Sequence, residues 1–387
     1  MRRGFGGIPR GGHRRGLSDE TAISLQRQAA SAHGARPPAG ADNPAVLAET
    51  NRYSPYRLGF AVKVLGGGGM ASADTRRWQS SPLIERSIEL LHEVFAYLDS
   101  IDVRVYRLSS QVVPYGTHPD LPQFDYRHQF ERAAPRLTAL AAEAARVGLR
   151  LSTHPGQYTV LNAPDETVRD KAIQDVEEHA LLLDLLGQGP EATIVVHVGG
   201  LYADRLAALD RWARTWELLS DRARARLGLE NDEHSFGLDD VLLLHRRTGV
   251  RVVLDVHHNR LNPSPGMDLA SALTAACGTW SAGVRPKIHL SSIRTMLATP
   301  ETPLRGRRSG AGKRRAQPAY PRLAQHADLV SPWDLEAVVA AAPGPLDVML
   351  EAKAKDLAVG WLRGATARTL PALAAAEERS GPSGSRS

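Results

Sequence analysis

The feature that most constrains this chain is an alternation of strand-like and helix-like segments that repeats eight times from Arg57 onward. Apolar runs typical of buried parallel strands lie at 57–63, 103–108, 149–153, 193–198, 227–230, 251–256, 286–290 and 346–351. Segments with helical periodicity lie between and after them, at 82–99, 129–147, 165–186, 203–223, 238–248, 268–277, 332–341 and 354–376. Strands that alternate with helices form parallel sheets, and eight such units predict an α/β fold with a single closed (β/α)₈ barrel, the TIM barrel.

An open, doubly wound sheet is the alternative arrangement for the same alternation. Such a sheet, when it binds a dinucleotide, carries a G-x-G-x-x-G motif directly after its first strand. The corresponding loop here holds four consecutive glycines, Gly66–Gly69, without that spacing. The barrel is therefore the favoured arrangement.

The barrel is predicted to occupy residues 55–378, flanked by segments of different composition. Residues 1–54 lack hydrophobic periodicity and are rich in Gly, Arg, Ala and Pro, which predicts a disordered basic extension. Residues 379–387 are expected to form a flexible tail. A long connection at about 296–320 is a basic insertion, and loops of that length inside a barrel are usually functional or disordered.

The formal net charge of +6 is unevenly distributed along the 387 residues. Residues 1–16 carry five arginines and no acid, and residues 305–315 carry six basic residues, so the remainder of the chain has a net charge of about −5. An acidic body with two basic segments indicates metal-binding carboxylates together with contacts to a polyanion such as nucleic acid. The alternative is that both segments are solvated and bind nothing.

The cysteine count and the hydropathy bear on the compartment. A single cysteine, Cys277, excludes an intramolecular disulfide and a cysteine-based zinc site, and it is typical of the reducing cytosol. No stretch approaches 18 consecutive apolar residues, so a transmembrane helix is not expected. These features predict a cytoplasmic protein.

Acidic and histidine side chains stand at the ends of six consecutive predicted strands. In a TIM barrel the carboxyl ends of the strands form the active site, so these side chains are expected to meet there. They are His154, His197, Glu230, Asp255, His258, His289 and Glu351. One strand-end histidine alone is more often a hydrogen-bonded structural residue, but six such strands in succession predict a polynuclear metal centre.

The number and type of these side chains indicate which ions the centre would hold. A catalytic site takes about three protein ligands per ion and leaves positions open for water and substrate. The seven ligands therefore predict two or three divalent ions, with carboxylates as bridges. Imidazole and carboxylate donors without a thiolate suit Mn²⁺ or Zn²⁺, and the affinity order does not choose between them.

Lys287 lies two residues before His289 on the predicted seventh strand, so both side chains point to the same face. A cationic amine beside divalent ions is repelled, which would lower its pKa. Such a lysine could be neutral, or could react with CO₂ to become a carboxylated, bridging ligand. An ordinary structural lysine is the alternative.

Seven short motifs in this chain resemble those of the UV damage endonuclease family. They are the strings at Arg107–Ser110, His154–Tyr158, Leu229–Asp232, Asp255–His258, Lys287–Ser292, His326–Asp328 and Met349–Lys353. Each string alone is weakly specific, whereas seven strings in the right order and on the right strands are highly specific. The resemblance extends from about Arg57 to about Leu370 and leaves residues 1–54 outside it.

The resemblance implies a TIM-barrel repair enzyme related to apurinic endonucleases of the endonuclease IV type. Such enzymes nick DNA immediately 5′ of a UV photoproduct, leave a 3′-hydroxyl and a 5′-phosphate, and use divalent ions, typically Mn²⁺. The implied partner is double-stranded DNA that contains UV photoproducts. A monomer suffices for a nick, and neither an obligate protein partner nor a membrane is implied.

The resemblance also implies roles for individual residues. The strand-end ligands match the family's metal ligands in type, and Glu230 is expected to bridge ions or to act as a base. His118 matches a position near the metals, and Lys287 matches a lysine for which carboxylation is part of the family pattern, so both join Glu230 as expected catalytic residues. Gln157 and Tyr158 match residues that probe the DNA at the lesion, where they would fill the space left by flipped nucleotides.

Two features depart from the family pattern. Members often carry an aromatic residue and an Asn near the first strand, whereas this chain has Phe60 and then Lys63 and Val64, with no Asn in register. The 296–320 insertion is longer and more basic than the family pattern leads us to expect. The residues of this insertion predicted to contact DNA phosphates are Arg305, Arg307 and Arg308.

Three other functions are compatible with such a barrel. An abasic-site endonuclease of the endonuclease IV type would share the metal centre. A divalent-metal sugar isomerase would need a compact pocket and no DNA surface. A damage-binding protein without catalysis is disfavoured by the complete set of ligands.

Overall fold

The computed structural model describes residues 53–296 and 320–379, and eight parallel strands form its centre. The strands are β1 (Tyr56–Ala61), β2 (Val105–Arg107), β3 (Arg150–Thr153), β4 (Thr193–His197), β5 (Leu227–Glu230), β6 (Arg251–Val253), β7 (Lys287–Leu290) and β8 (Leu346–Leu350). They belong to one sheet in the order β6-β5-β4-β3-β2-β1-β8-β7. Each predicted strand is present, with ends that differ from the prediction by at most three residues.

A short contact joins β6 to β7, the two ends of this order. The backbone N–H of His289 donates to the carbonyl of Leu254 at 2.9 Å, and Asp255 and His289 form a parallel bridge. Each of the eight strands therefore has a neighbour on both sides, which is the arrangement of a (β/α)₈ barrel. The predicted TIM barrel is confirmed.

Helices between the strands form the outer layer, as this fold requires. They are α1 (Ile84–Ser100), α2 (Tyr126–Val147), α3 (Glu166–Leu185), α4 (Arg205–Trp216), α5 (Asp221–Arg226), α6 (Leu238–Thr248), α7 (Val256–Leu261), α8 (Leu269–Cys277), α9 (Pro332–Ala341), α10 (Lys355–Thr369) and α11 (Pro371–Ala375). The buried faces of most of these helices are apolar and pack against the strands, so one hydrophobic core fills the space between the two layers.

Three helical predictions are wrong in detail. The predicted helix at 203–223 is two helices, because the Ser220 side chain caps a new one, α5. The predicted helix at 354–376 is divided before Pro371, which has no N–H to continue the hydrogen-bond ladder. The prediction lacks α7, which the Asp255 side chain caps directly after β6 and whose six residues are too few to show a helical period.

A buried cluster of charges lies toward the amino-terminal end of the barrel. Asp347 on β8 has no solvent exposure and accepts hydrogen bonds from Arg150 and, at 2.7 Å, from Arg57 Nε. Lys287 pairs with Asp347 in the register of β7 and β8. Removing one partner of a buried ion pair costs about 3–5 kcal/mol. Removing one partner of this cluster should therefore destabilise the end of the barrel opposite the one where TIM-barrel active sites form.

The packed domain extends slightly beyond the predicted limits of 55 and 378. The Tyr53 hydroxyl donates to Glu336 at 2.8 Å, and the Arg379 guanidinium lies 3.4 Å from Asp102. The last two residues of the predicted extension and the first of the predicted tail therefore lie among the described residues.

Several predictions concern segments outside the described residues, namely 1–52, 297–319 and 380–387. The predicted DNA contacts of Arg305, Arg307 and Arg308 fall in the second of these segments and stay predictions. No helix within 53–296 and 320–379 combines the length with the apolar character needed to cross a membrane.

Candidate metal centre

Six of the seven predicted ligands converge at the carboxyl ends of the strands. His197 and Glu230 are the last residues of β4 and β5, His154 and Glu351 directly follow β3 and β8, and His289 lies within β7. Their ligand atoms form two groups, and within each group these atoms all lie within 4.8 Å of one another. The first group is His154, His197 and Glu230, and the second is Glu230, Asp255, His289 and Glu351. Glu230 belongs to both groups.

The first group has the spacing of ligands that share one ion. His154 Nε2 lies 3.3 Å from Glu230 Oε2, and His197 Nε2 lies 3.5 Å from the same oxygen. Donors that each bind an ion at about 2.1 Å in a tetrahedral arrangement lie about 3.4 Å apart. Three protein ligands would leave a fourth position for water or substrate.

The second group shares the other oxygen of Glu230. His289 Nδ1 lies 2.8 Å from Glu230 Oε1 and 3.4 Å from Glu351 Oε1. Asp255 is fully buried, and its Oδ2 has no hydrogen-bond partner among the described residues. A buried carboxylate oxygen without a partner is costly unless a cation binds it. The residues present therefore fit a second ion, and Glu230 belongs to both groups.

The charges of the buried carboxyl groups depend on their neighbours. Burial opposes ionisation of Glu230, but imidazoles, foremost His289, outweigh it and hold the pKa of this carboxyl well below its usual value. Burial also opposes ionisation of Glu351, and there the Arg107 guanidinium reverses the effect and lowers the pKa. The pKa of Asp255 is instead raised to about 7, chiefly by burial. Because ligands bind metals in their deprotonated form, an ion bound at Asp255 would displace a proton near neutral pH.

His258 lies at the edge of the centre rather than in either group. Its Nδ1 is 3.1 Å from the carbonyl of Asn231, 3.7 Å from Glu230 Oε1 and 3.8 Å from Asp255 Oδ2. Burial lowers the pKa of the imidazole, but Asp255 and then Glu230 outweigh it and raise the pKa to about 9. The ring thus contacts the ligand carboxylates, and its role as a ligand stays a prediction.

His118 belongs to neither ligand group. Its side chain is exposed and packs against Tyr115 with the ring centroids 6.1 Å apart, and its Nδ1 accepts from the Asp120 N–H at 3.2 Å. It lines a cavity of about 450 Å³ whose wall also includes Tyr158. His118 therefore lies beside the predicted lesion-contacting loop and not among the ligands.

Gln157 and Tyr158 lie on the loop that follows β3, at the carboxyl end of the barrel. Both are exposed, and Tyr158 exposes 77% of its surface, which is unusual for a large aromatic side chain. The loop is nevertheless held in place, because the Thr159 hydroxyl donates to Asp175 of α3 at 2.9 Å. An exposed ring on an anchored loop is suited to stacking against a partner.

Lys287 lies inside the barrel, two residues before His289 on β7. It is 1% exposed, and its Nζ has no hydrogen-bond partner among the described residues. Burial, followed by the charge of Arg150, holds the pKa of this amine well below its usual value. The direction is the predicted one, whereas the causes here are burial and an arginine, so an effect of neighbouring ions stays a prediction.

Two side chains near the centre are absent from the predicted set of ligands. His326 Nδ1 lies 2.8 Å from the carbonyl of Glu351, and its ring lies 6.1 Å from that of His258. Glu233 Oε2 lies 3.7 Å from His258 Nε2. His326 belongs to the motif string His326–Asp328, so the sequence does point to it. Glu233 lies one residue beyond the string Leu229–Asp232, and nothing in the sequence pattern points to it.

Comparison with known proteins identifies the family of this chain. Residues 72–374 match the family model described as UV-endonuclease UvdE. The fold is also that of the crystal structure of SacUVDE, with a TM-score of 0.65 and 24% sequence identity over 81% of this chain and 98% of that one.

Several curated relatives carry matching names. The chain is 30% identical over 264 residues to the UV DNA damage endonuclease of Bacillus velezensis, and the match covers 68% of this chain and 75% of that protein. It is 33% identical over 200 residues to the Bacillus pumilus protein of the same name, and this match covers 51% of this chain and 61% of that protein. The match to the Neurospora crassa UV-damage endonuclease, at 30% identity, covers 69% of this chain but 38% of that protein. The chain belongs to the UV-endonuclease UvdE family.

Proposed function

We propose that this chain, a DNA repair endonuclease by its family, nicks the backbone immediately 5′ of UV photoproducts in double-stranded DNA and leaves a 3′-hydroxyl and a 5′-phosphate. The observation that carries the proposal is a pair of ligand groups that share Glu230, at the same end of the barrel as the exposed loop of Gln157 and Tyr158. The names of the relatives support UV-damaged DNA as the substrate.

We propose Mn²⁺ as the resident ion. The donors are imidazole nitrogens and carboxylate oxygens without a thiolate, a set that suits Mn²⁺ and also accepts Zn²⁺. When bound, paired ions stabilise the attacking and leaving oxygens of an in-line displacement at phosphorus. The residues that would hold them are His154 and His197 for one ion, Asp255, His289 and Glu351 for the other, and Glu230 for both.

Glu230 is suited to the bridging role by the direction of its two oxygens. Its Oε2 faces His154 and His197, and its Oε1 faces His289. The imidazoles keep the pKa of this carboxyl low, so its negative charge is present across the neutral range. The side chain is 1% exposed, which excludes bulk water from the charge.

Lys287 is proposed to be carboxylated. In that step its neutral Nζ forms a bond to the carbon of CO₂ and releases a proton, which leaves a carbamate anion on the side chain. The structure favours the product because Nζ has no partner among the described residues, and because the cations that disfavour an ammonium there, Arg150 and Arg107, would stabilise an anion. Mass spectrometry of the intact protein at neutral pH should detect one added CO₂ that is lost on acidification, and Lys287→Arg should lack it.

The lesion is proposed to be recognised at the barrel mouth. A damaged dinucleotide must leave the stack before its backbone reaches the centre, and damage lowers the cost of that step. Gln157 and Tyr158 would fill the vacated space, and His118, on the wall of the adjoining cavity, would contact the DNA there. The proposed phosphate contacts of the basic insertion are Arg305, Arg307 and Arg308, outside the described residues.

A plasmid assay tests the function. The purified protein with Mn²⁺ is incubated with UV-irradiated, untreated and abasic supercoiled plasmids, with and without a chelator. We expect relaxation of the irradiated plasmid, loss of the activity with the chelator, and its return with excess Mn²⁺. Nicking of abasic plasmid alone would instead identify an abasic-site endonuclease, and binding without nicking would identify a damage-binding protein. A labelled duplex with one photoproduct then locates the nick and its end groups.

A further inference from the structure

A second cavity, of about 370 Å³, is lined by residues at the carboxyl ends of β2 and β8 and by Gln325 and His326, which precede α9. Its wall includes three cationic side chains, those of Arg107, Lys353 and Lys355. Glu351, a member of the second ligand group, is the one carboxylate among the described residues of the wall. The cavity is therefore strongly basic and adjoins the metal centre.

The cations of this cavity are incompletely neutralised. Arg107 donates to Glu351, but its buried Nε has no partner among the described residues. Neither Lys353 nor Lys355 forms an ion pair or a side-chain hydrogen bond within 53–296 and 320–379, and the carboxylates that act on them at longer range are Asp328 and Glu351. Three basic side chains around one cavity create a positive electrostatic potential that favours binding of an anion there.

The backbone holds Lys355 in a conformation that costs free energy. Its φ is 54°, in the left-handed region that residues other than glycine rarely adopt. The flanking chain is fixed on both sides, because the Lys353 N–H donates to Ala327 at 3.1 Å and the Asp356 carboxylate accepts from the Gly66 N–H at 2.8 Å. Strain that the surroundings enforce is found most often at ligand sites. The backbone that carries Lys355 is therefore anchored on both sides.

We propose that this cavity binds a phosphate of the DNA backbone other than the one that is cleaved, with Lys355 and Lys353 as its principal cations. The inference rests on the proposed function, because Glu351 connects the cavity to the centre that would hold the scissile phosphate. Lysine ammonium groups meet a phosphate as point charges and read no base. The site therefore fixes the register of the strand over the ions, whatever the sequence around the lesion.

Single-turnover nicking separates this role from catalysis. A duplex with one photoproduct is cleaved by rising concentrations of the Mn²⁺-loaded protein, which gives a half-saturating concentration and a maximal rate. Lys355→Met keeps the length of the side chain and removes its charge. Arg136→Met, at an exposed position on α2, is the matched control for loss of one charge.

We expect Lys355→Met to raise the half-saturating concentration about tenfold, as for loss of a charged hydrogen bond, and to leave the maximal rate unchanged. The log–log salt dependence should become shallower by about 0.9 for one lost phosphate contact. Lys353→Met should act in the same direction, and Arg136→Met should change neither quantity. Thermal unfolding midpoints confirm that each variant is folded.

Uncharged methylphosphonates placed one at a time beside the lesion locate the contact. At one methylphosphonate position, the wild type should lose as much affinity as Lys355→Met loses on the unmodified duplex. Lys355→Met should lose no further affinity when the duplex carries the methylphosphonate at that position. Three outcomes would each overturn the proposal. Lys355→Met could leave the half-saturating concentration and the salt slope unchanged, or it could lower the maximal rate alone. The affinity losses caused by Lys355→Met and by the methylphosphonate could also be additive at every position. Failure of the wild type to nick irradiated DNA would contradict the proposed function instead. Salt titrations of intact-duplex binding by both proteins would then still decide the phosphate site.

Discussion

Glu230 is the residue on which both ligand groups depend. It ends β5, it is 1% exposed, and its two oxygens face imidazoles of different groups. A neutral amide in its place would retain the shape but supply no charge to either ion. The contacts proposed for DNA lie elsewhere, on the loop after β3 and in the basic cavity. Chemistry and binding are therefore separable at this position.

Glu230→Gln is expected to abolish nicking of irradiated plasmid while affinity for damaged DNA stays within a few-fold of the wild type. The reason is that the substitution disturbs the ions and leaves the DNA surface intact. Nicking is measured by plasmid relaxation and affinity by a binding titration. Glu166→Gln, at an exposed position in the first turn of α3, serves as the control. Residual nicking within tenfold of the wild type would place Glu230 outside the centre.

His179 should give the protein a dependence of stability on pH. Burial lowers the pKa of this imidazole to about 4, whereas a histidine in the unfolded chain has a pKa of about 6.5. Between these values the unfolded chain binds a proton that the folded chain does not, so stability falls as the pH falls through this window. At pH 5 the loss should reach about 2 kcal/mol.

Guanidinium unfolding at pH 7.5 and pH 5 checks this expectation. The wild type should lose about 2 kcal/mol more between the two pH values than His179→Gln does, because other titrating groups are common to both proteins. His234→Gln, which removes a largely exposed histidine, should follow the wild type. Equal losses in the wild type and His179→Gln would show that His179 titrates normally in the folded state.

At the scale of elements, one carboxylate of α3, that of Asp175, is hydrogen-bonded to two loops at the barrel mouth. Asp175 accepts hydrogen bonds from Thr117, from Thr159 at 2.9 Å and from Lys171 at 2.9 Å. Thr117 directly precedes His118, and Thr159 directly follows Tyr158. The relative position of the two proposed DNA-contacting loops therefore depends on Asp175, which itself faces no ligand group.

Asp175→Ala is expected to speed hydrogen exchange of the backbone amides at 156–160 and to reduce the preference for damaged over intact DNA several-fold. Loss of three hydrogen bonds should also lower the free energy of unfolding by about 1–3 kcal/mol. Asp170→Ala, on the same helix but at an exposed position where the carboxylate pairs with its neighbour Arg169, should change none of these. A variant with normal exchange and normal preference would show that the loops are held by other contacts.

The loop itself is expected to govern discrimination rather than chemistry. Gln157→Ala combined with Tyr158→Ala should weaken the preference for damaged DNA more than it slows cleavage of bound substrate. Stacking on one aromatic ring is worth about 1–3 kcal/mol, so the loss should be about tenfold or more. Binding titrations on damaged and intact duplexes give the preference, and single-turnover rates at saturation give the chemistry. An unchanged preference would exclude the proposed wedge.

The strands and most helices could be predicted because each depends on a local pattern. A run such as 193–198 is apolar enough to be recognised as a buried strand without knowledge of its neighbours. α7 could not be predicted, because its start depends on one capping contact of Asp255 rather than on a period. Among the ligands, the order of residues along the chain predicts which strands deliver them, since all parallel strands end at the same edge.

Other features of the site could not be predicted because they depend on loop conformation. The contacts of Asp175 join positions 117 and 159, and nothing in their spacing along the chain indicates that they meet. The displacement of His258 from the ligand groups arises because it stands on the first turn of α7 with Nδ1 at the carbonyl of Asn231. The conformation of Lys355 likewise results from the anchoring of its neighbours.

At the scale of the whole molecule, the barrel separates stability from chemistry along its axis. Toward the amino end, Asp347 accepts hydrogen bonds from Arg57 and Arg150 in a buried cluster of protein side chains. At the carboxyl end, Asp255 Oδ2 and Glu230 Oε2 are buried without hydrogen-bond partners among the described residues. The carboxyl end is thus the part of the domain whose free energy depends most on bound cations.

Ion binding should therefore stabilise the whole domain. Mn²⁺ at one hundred times its Kd for the folded chain should add about 2.7 kcal/mol, which for a domain of this size raises the unfolding midpoint by about 4 °C. Thermal unfolding of chelator-treated protein with and without Mn²⁺ measures the shift. The shift should be smaller at pH 6 than at pH 8, because the pKa of Asp255 is raised to about 7 and a proton then competes with the ion. Asp255→Asn should reduce that pH dependence while the His154 and His197 group still responds to Mn²⁺. An identical midpoint with and without Mn²⁺ at both pH values would contradict an ion site in this centre.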